Sequence, residues 1–206
     1  MSNDQQHSPS LVAALSTSIE VSEWIAEHHP KEVLHARRTL IAAPLYGICM
    51  EHREAILLLV DHNCRTSAFA LWRPVYEALH RGLWAEYCLT ESDIERLVKT
   101  QHLPKFDTMI KRLDALEPGS GNSSYSASKL KVWKSMSDFA HGGFAPLARW
   151  AGPDGLGARH PDLEVMQLLW RVDLFGLLAC MAVNRLAGRE TKEHEARIEV
   201  HLGAAK

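Results

Sequence analysis

Apolar residues recur every three or four positions along most of the chain, and stretches that alternate apolar and polar are nearly absent. That spacing matches the 3.6-residue turn of an α-helix, whereas a strand with one buried face repeats every second residue. β-Branched residues are sparse too, so the pattern predicts an all-α protein: a single-domain bundle of six to seven helices over residues 1–206. The terminal stretches 1–8 and 189–206 show no deep apolar face. They are expected to be loosely ordered, the second being alternatively a docked helix.

Local signals place the helices. Ser8-Pro9-Ser10 is a start signal for a first helix that carries Leu11, Leu15, Ile19 and Trp24 toward His29. Pro30 suits the first turn of a second helix, where a missing N–H costs nothing. That helix is expected to run through Leu34, Ile41, Leu45 and Ile48 to about Val60, kinked at Pro44. A third spans about Asn63 to Leu89 with Pro74 inside it, and Thr90-Glu91-Ser92-Asp93 resembles a capping box that starts a short fourth toward His102. Pro104 opens a fifth, to about Leu116. The run PGSGNSS (118–124) is the clearest loop. A sixth helix covers roughly Ala127 to Phe139 and stops at His141-Gly142-Gly143, and a Gly/Pro-rich loop from Gly152 to Pro161 leads to the last long helix, 162–187.

Composition narrows the classes. With 206 residues, 46% hydrophobic and 23% charged, the chain has ordinary globular make-up and enough length for a sizeable core. A net charge of −2 draws no polyanion from a distance, so nucleic-acid binding would need a local patch. The four cysteines, Cys49, Cys64, Cys88 and Cys180, form no Cys-x-x-Cys pair and read as small buried hydrophobes in a reducing compartment. The first ten residues lack the basic and apolar blocks of a signal peptide. The apolar run Leu163–Leu186 is broken by Arg171 and Asp173, which predicts a buried bundle helix rather than a membrane span. A cytoplasmic location follows as the expectation.

Twelve histidines direct attention to acid–base or metal chemistry. Two Glu-x-x-His pairs, Glu32…His35 and Glu77…His80, have the spacing of di-metal bundles, but about one such pair arises by accident in this composition. Further ligating carboxylates are not evident among Glu51, Glu54 and Glu164, so neither metal nor cofactor is expected. Arg followed at five to seven positions by His occurs at Arg73/His80, Arg96/His102 and Arg189/His194, against about two or three expected by chance, so the spacing alone carries nothing.

Placement on a helix carries more. At 100° per residue Arg73, Glu77, His80 and Trp84 fall within about 60° of one another, while the rest of that helix is largely apolar. Such a stripe must open to water, to a cleft or to compensating partners, because unpaired buried charge is costly. The bland form is a solvated face with an Arg73–Glu77 pair one turn apart. SDFAHGGF (137–144) is the second place of interest. There His141 either caps a helix, complementing its dipole, or reaches into a neighbouring cleft. If it faces Arg73, Glu77 and His80, two imidazoles and a guanidinium could activate a ribose hydroxyl and stabilise a phosphorane-like transition state without metal. Lys129, Lys131 and Lys134 around Trp133 form either an RNA-contacting or a solvated face. Phosphate loops, nucleophile elbows and dinucleotide fingerprints are missing from the sequence.

The run SAFALWRPVYEALHRGLW (67–84), followed by SDFAHGGF, resembles a group of uncharacterised bacterial helical proteins in which an Arg-x-x-x-Glu helix and a later His-Gly recur. That group is similar, more distantly, to HEPN-type proteins of toxin–antitoxin and phage-defence systems, over about residues 33–187. The resemblance implies an all-α bundle that often dimerises and, in active members, cuts RNA without metal, with Arg73 and His80 as the matching residues. The chain departs from the HEPN pattern in two ways: Pro74 stands where a polar residue usually follows the Arg, and the motif lies on a central helix. The expectation is therefore a HEPN-like defence or stress protein, a candidate metal-independent endoribonuclease using Arg73, Glu77, His80 and His141. The alternative is a non-catalytic protein of the same fold, an antitoxin-like partner or small-ligand sensor. The expected partners are a second copy of the chain, RNA or a protein, and no membrane.

Overall fold

A computed structural model describes residues 7–116, 124–152 and 155–203. Nine helices account for nearly all the regular structure among them: α1 Pro9–His28, α2 Thr39–Asp61, α3 Arg65–Tyr87, α4 Glu91–Thr100, α5 Phe106–Asp114, α6 Tyr125–Ala140, α7 Phe144–Trp150, α8 Asp162–Leu186 and α9 Lys192–Gly203. The only strand pair among the described residues is a two-residue hairpin, β1 Ala151–Gly152 with β2 Gly155–Leu156, in which Ala151 faces Leu156. The protein is all-α, with more helices than the six or seven expected.

Ser8 caps α1 by accepting from the backbone N–H of Leu11, and Pro9 occupies the first turn. The apolar face Leu11, Leu15, Val21 and Ile25 then packs inward. α2 and α3, both 23 residues long, form a hairpin through a turn in which Asn63 takes a left-handed conformation, φ 57. They lie close enough that a Cβ on Gly82 would stand 2.5 Å from the ring of Tyr46, so only glycine permits this crossing. α8 runs through the centre with Val165, Leu168, Leu169, Val172 and Leu177 buried, and over half (56%) of its most apolar window lies inside the bundle. By length and composition alone α8 is apolar enough to cross a membrane.

Two buried ionic clusters tie the bundle. Arg53, 1% exposed, donates from Nε (2.9 Å) and Nη2 (2.6 Å) to Asp173 Oδ1, and Ser18 donates to Asp173 Oδ2 at 2.6 Å. Buried Glu86 accepts from Tyr46 Oη at 2.6 Å and from Arg185 Nε at 2.6 Å, linking α2, α3 and α8. Burial and the carboxylate push the Tyr46 phenol far above its ordinary range.

The differences from expectation have local causes. α2 begins at Thr39, not at Pro30. Pro30 is buried, and the Leu34 N–H pairs with the Leu186 carbonyl at the end of α8, so the segment serves a tertiary partner instead of a helical turn. The short α7 was hidden by its Gly and Pro neighbours; Asp138, six residues before it, accepts from the Ala145 N–H. In the described part of the tail α9 docks, the alternative allowed for it, through His194 and His201, each 4% exposed, and His201 shares reciprocal hydrogen bonds with Trp170. Of the cysteines, Cys49 and Cys180 are buried, with burial raising both thiols to about 12, but Cys64 is exposed. The loop expected at 118–124 lies outside the described residues except for Ser124, which caps α6.

Candidate functional site

Arg73, Glu77 and Arg81 stand at successive turns of α3 and therefore share a face. The Glu77 carboxylate is divided between the two cations: Oε1 accepts from Arg73 Nε at 2.8 Å and Oε2 from Arg81 Nη2 at 2.6 Å. All three side chains are largely covered, at 17 to 29% exposure, and their formal charges sum to +1. Low exposure strengthens these contacts relative to a surface pair.

α6 supplies the opposite wall. Ser137 and His141 are four residues apart, hence on one face, and both meet the same guanidinium: Arg73 Nη1 lies 3.3 Å from Ser137 Oγ and 2.7 Å from His141 Nε2. Gly142, at φ +65, ends α6 in the left-handed conformation that frees the His141 side chain from any further helical turn. Below, Arg73 lies 4.4 Å over the ring of Trp133, which also stacks on Phe106 at 5.3 Å. The guanidinium is held by an acid, a hydroxyl, an imidazole and an aromatic face, and its plane has little freedom. Arg73 can only donate, so in this contact His141 Nε2 is the acceptor and the ring proton sits on Nδ1.

Arg73, Glu77, Arg81 and His141 line a cleft of about 510 Å³. His52 from α2 also opens into it, and Leu45, Ile48, Pro74 and Leu103 form an apolar wall. Pro74 has no N–H to offer the Ala70 carbonyl, a gap in the helical ladder beside the cleft.

Among the four candidate residues, Arg73, Glu77 and His141 converge and His80 does not. His80 is 6% exposed, stacks on Tyr76 at 4.1 Å and is ringed by Phe106, Tyr125 and Phe175. Its Nδ1 is spent on the Tyr76 carbonyl, 2.7 Å away, and burial lowers its pKa to about 4. The stripe thus splits: its first half opens to the cleft, while His80 and the fully buried Trp84 enter the core. Lys129 is likewise not on a solvated face, being paired with Asp107 and 4.3 Å over Trp133; Lys131 and Lys134 are exposed.

Sequence reasoning missed Arg81, Ser137 and His52. The first two carried a usable signal, lying one turn from Glu77 and from His141. His52 carried none, because only the packing of α2 beside α3 brings it in. Among the described residues no group of three or more His, Cys, Asp or Glu side chains could hold a metal ion.

The model of a family of unknown function, DUF6988, matches residues 46–202, from the middle of α2 through most of α9. The chain belongs to this family. The DUF6988 match includes Arg73, Glu77, Arg81, Ser137, His141 and His52 and leaves out α1. No curated protein and no solved structure matches the chain.

Proposed function

We propose that this DUF6988 protein is a HEPN-like, metal-independent endoribonuclease of bacterial defence or stress, acting in the Arg73 cleft. The observation that carries the reading is the meeting of Arg73, Glu77 and His141 from two helices at one open cleft, with Ser137 behind them on the Arg73 guanidinium. In this reading Arg73 clamps the scissile phosphate. A bidentate guanidinium suits the phosphate oxygens and remains charged throughout. An arriving phosphate competes with His141 for Arg73 Nη1 and frees the Nε2 lone pair to take the proton of the ribose 2′-hydroxyl. That oxygen attacks phosphorus, and a second imidazole, His52, delivers a proton to the departing 5′ oxygen. Glu77 holds Arg73 and Arg81 in place as negative charge grows on phosphorus. The role expected of His80 passes to these residues, since a side chain enclosed by aromatic rings cannot reach a substrate.

The test is cleavage of total RNA in chelator by the wild type, Arg73→Ala and His141→Ala, with folding checked by circular dichroism. Cutting that both substitutions abolish supports the nuclease. Absence of cutting by folded wild-type protein at high concentration sinks it. The second reading, a non-catalytic sensor or antitoxin-like partner, draws on the apolar wall of Leu45, Ile48 and Leu103, which suits an amphipathic ligand better than a bare phosphate chain.

Homodimerisation belongs to the same proposal. Most apolar residues of α8 lie inside the chain, whereas Phe144 (75% exposed), Leu147 (61%), Leu156 (87%) and, in the first turn of α8, Leu163 (64%) stand uncovered around α7. Light scattering should give a dimer that Phe144→Asp with Leu156→Glu dissociates; a wild-type monomer counts against it.

A further inference from the structure

A second pocket, of about 650 Å³, opens where the start of α3, the end of α7 and the residues leading into α8 meet. Three of its lining residues, Arg65, Arg149 and Arg159, are arginines, and one, Asp162, is an acid. It shares no lining residue with the Arg73 cleft.

The hydrogen-bond donors around this pocket outnumber the acceptors that use them. Arg65, 9% exposed, gives Nη1 to the His160 carbonyl (2.7 Å) and to Asp162 Oδ1 (2.6 Å), and Nε to Asn63 Oδ1 (2.9 Å). Its Nη2 has no partner among the described residues. Arg149 commits only Nη2, to Glu164 Oε1 at 2.7 Å.

His160 is the deciding group. It is 4% exposed, stacked on Phe69 at 4.7 Å, and its Nε2 lies 3.0 Å from Thr66 Oγ1. Thr66 Oγ1 already accepts from Trp150 Nε1 at 3.0 Å. The single hydroxyl proton of Thr66 then has one acceptor, His160 Nε2; the opposite tautomer would leave that proton without a partner among the described residues. The imidazole proton therefore sits on Nδ1, and Nδ1 is buried with no hydrogen-bond partner. A buried N–H with nothing to donate to is destabilising, and an acceptor supplied from outside removes that penalty.

We propose that this pocket is a second binding site, separate from the Arg73 cleft, for a ligand bearing a tetrahedral oxyanion, namely a phosphate ester. The oxyanion accepts from His160 Nδ1, Arg65 Nη2 and the uncommitted nitrogens of Arg149. Asp162 does not block it, because its carboxylate is engaged by Ser8 and Arg65, and the Ser8 hydrogen bond, followed by that from Arg65, holds it below the usual carboxylate range. A pocket of this volume falls within the roughly 300–1,000 Å³ of organic-ligand sites, so a free phosphate would leave most of it empty and an ester with an organic body fits.

The test uses inorganic phosphate and the full chain carrying Arg73→Ala, which removes the cleft as a competing phosphate site. Imidazole ¹⁵N and ¹H resonances of His160 are followed during the titration. The expected result is a saturable shift at the His160 Nδ1–H, with sulfate giving the same shift. Arg149→Gln, at a partly exposed position, weakens the apparent affinity about tenfold. Three outcomes overturn the site: no saturable shift up to about 50 mM phosphate, an affinity indifferent to Arg149→Gln, or a response seen in the wild type and lost in Arg73→Ala.

Discussion

Arg73 Nη1 donates to His141 Nε2 at 2.7 Å, joining two residues 68 positions apart in the chain. The contact leaves His141 with its proton on Nδ1. Long-range ¹H–¹⁵N spectra of the wild type should show this one tautomer. In Arg73→Ala the ring should revert to the usual mixture dominated by Nε2–H, because no other donor among the described residues holds Nε2. An unchanged spectrum in the variant would mean the two side chains do not meet in solution. Arg73→Lys should not restore the contact set, since one ammonium cannot reach Glu77, Ser137 and His141 from the positions of a planar fork.

Burial of His80 ties stability to pH. Its pKa of about 4 lies below the ordinary 6.5, so below pH 6.5 the unfolded chain binds more protons than the native one. The stabilisation is complete above pH 6.5 and is lost progressively as pH falls toward 4, by a total of order 3 kcal/mol. His160, also lowered to about 4, adds a loss of the same sign. In denaturant titrations at pH 7 and pH 5, His80→Phe should show a clearly smaller drop than the wild type; equal drops would refute the burial of this ring.

Glycine at position 82 is expected to be irreplaceable for steric reasons. Alanine has the better helix propensity by about 1 kcal/mol, yet its Cβ would stand 2.5 Å from the Tyr46 ring. Overpacking should win, and Gly82→Ala should lose about 1–3 kcal/mol in thermal or denaturant unfolding. A stabilised variant would mean that α2 and α3 are further apart.

The Arg53–Asp173 pair should behave asymmetrically. Asp173→Asn leaves a guanidinium that is 1% exposed with the half-exposed Glu54 carboxylate, 2.8 Å away, as its remaining anionic partner, and should cost toward the lower end of about 3–5 kcal/mol. Replacing both residues, with Arg53→Met and Asp173→Leu, should recover most of that loss, because two desolvation penalties vanish together. Additive losses in the double variant would contradict the pairing.

Much of the fold was legible from residue order. The three-to-four spacing, the Ser8-Pro9 start, the Thr90–Asp93 capping box and the glycines after His141 are local signals, and α1, α3, α4 and α6 follow them closely. Elements whose stability is not local were read poorly. The 30–38 segment follows a bond to α8, α7 leans on the Asp138 carboxylate, and α9 is anchored by two histidines that hydropathy counts as polar. The site divides in the same way. Arg73 and Glu77 were readable as one helix face because the i,i+4 rule needs only a single helix. Whether that face opened or was covered, and at which residue it changed from one to the other, was decided by α5, α6 and α8 packing over His80 and leaving Arg73 at the cleft. Sequence spacing sets which side chains share a face; only the packed bundle sets the dielectric, the neighbours and the access that turn a face into chemistry.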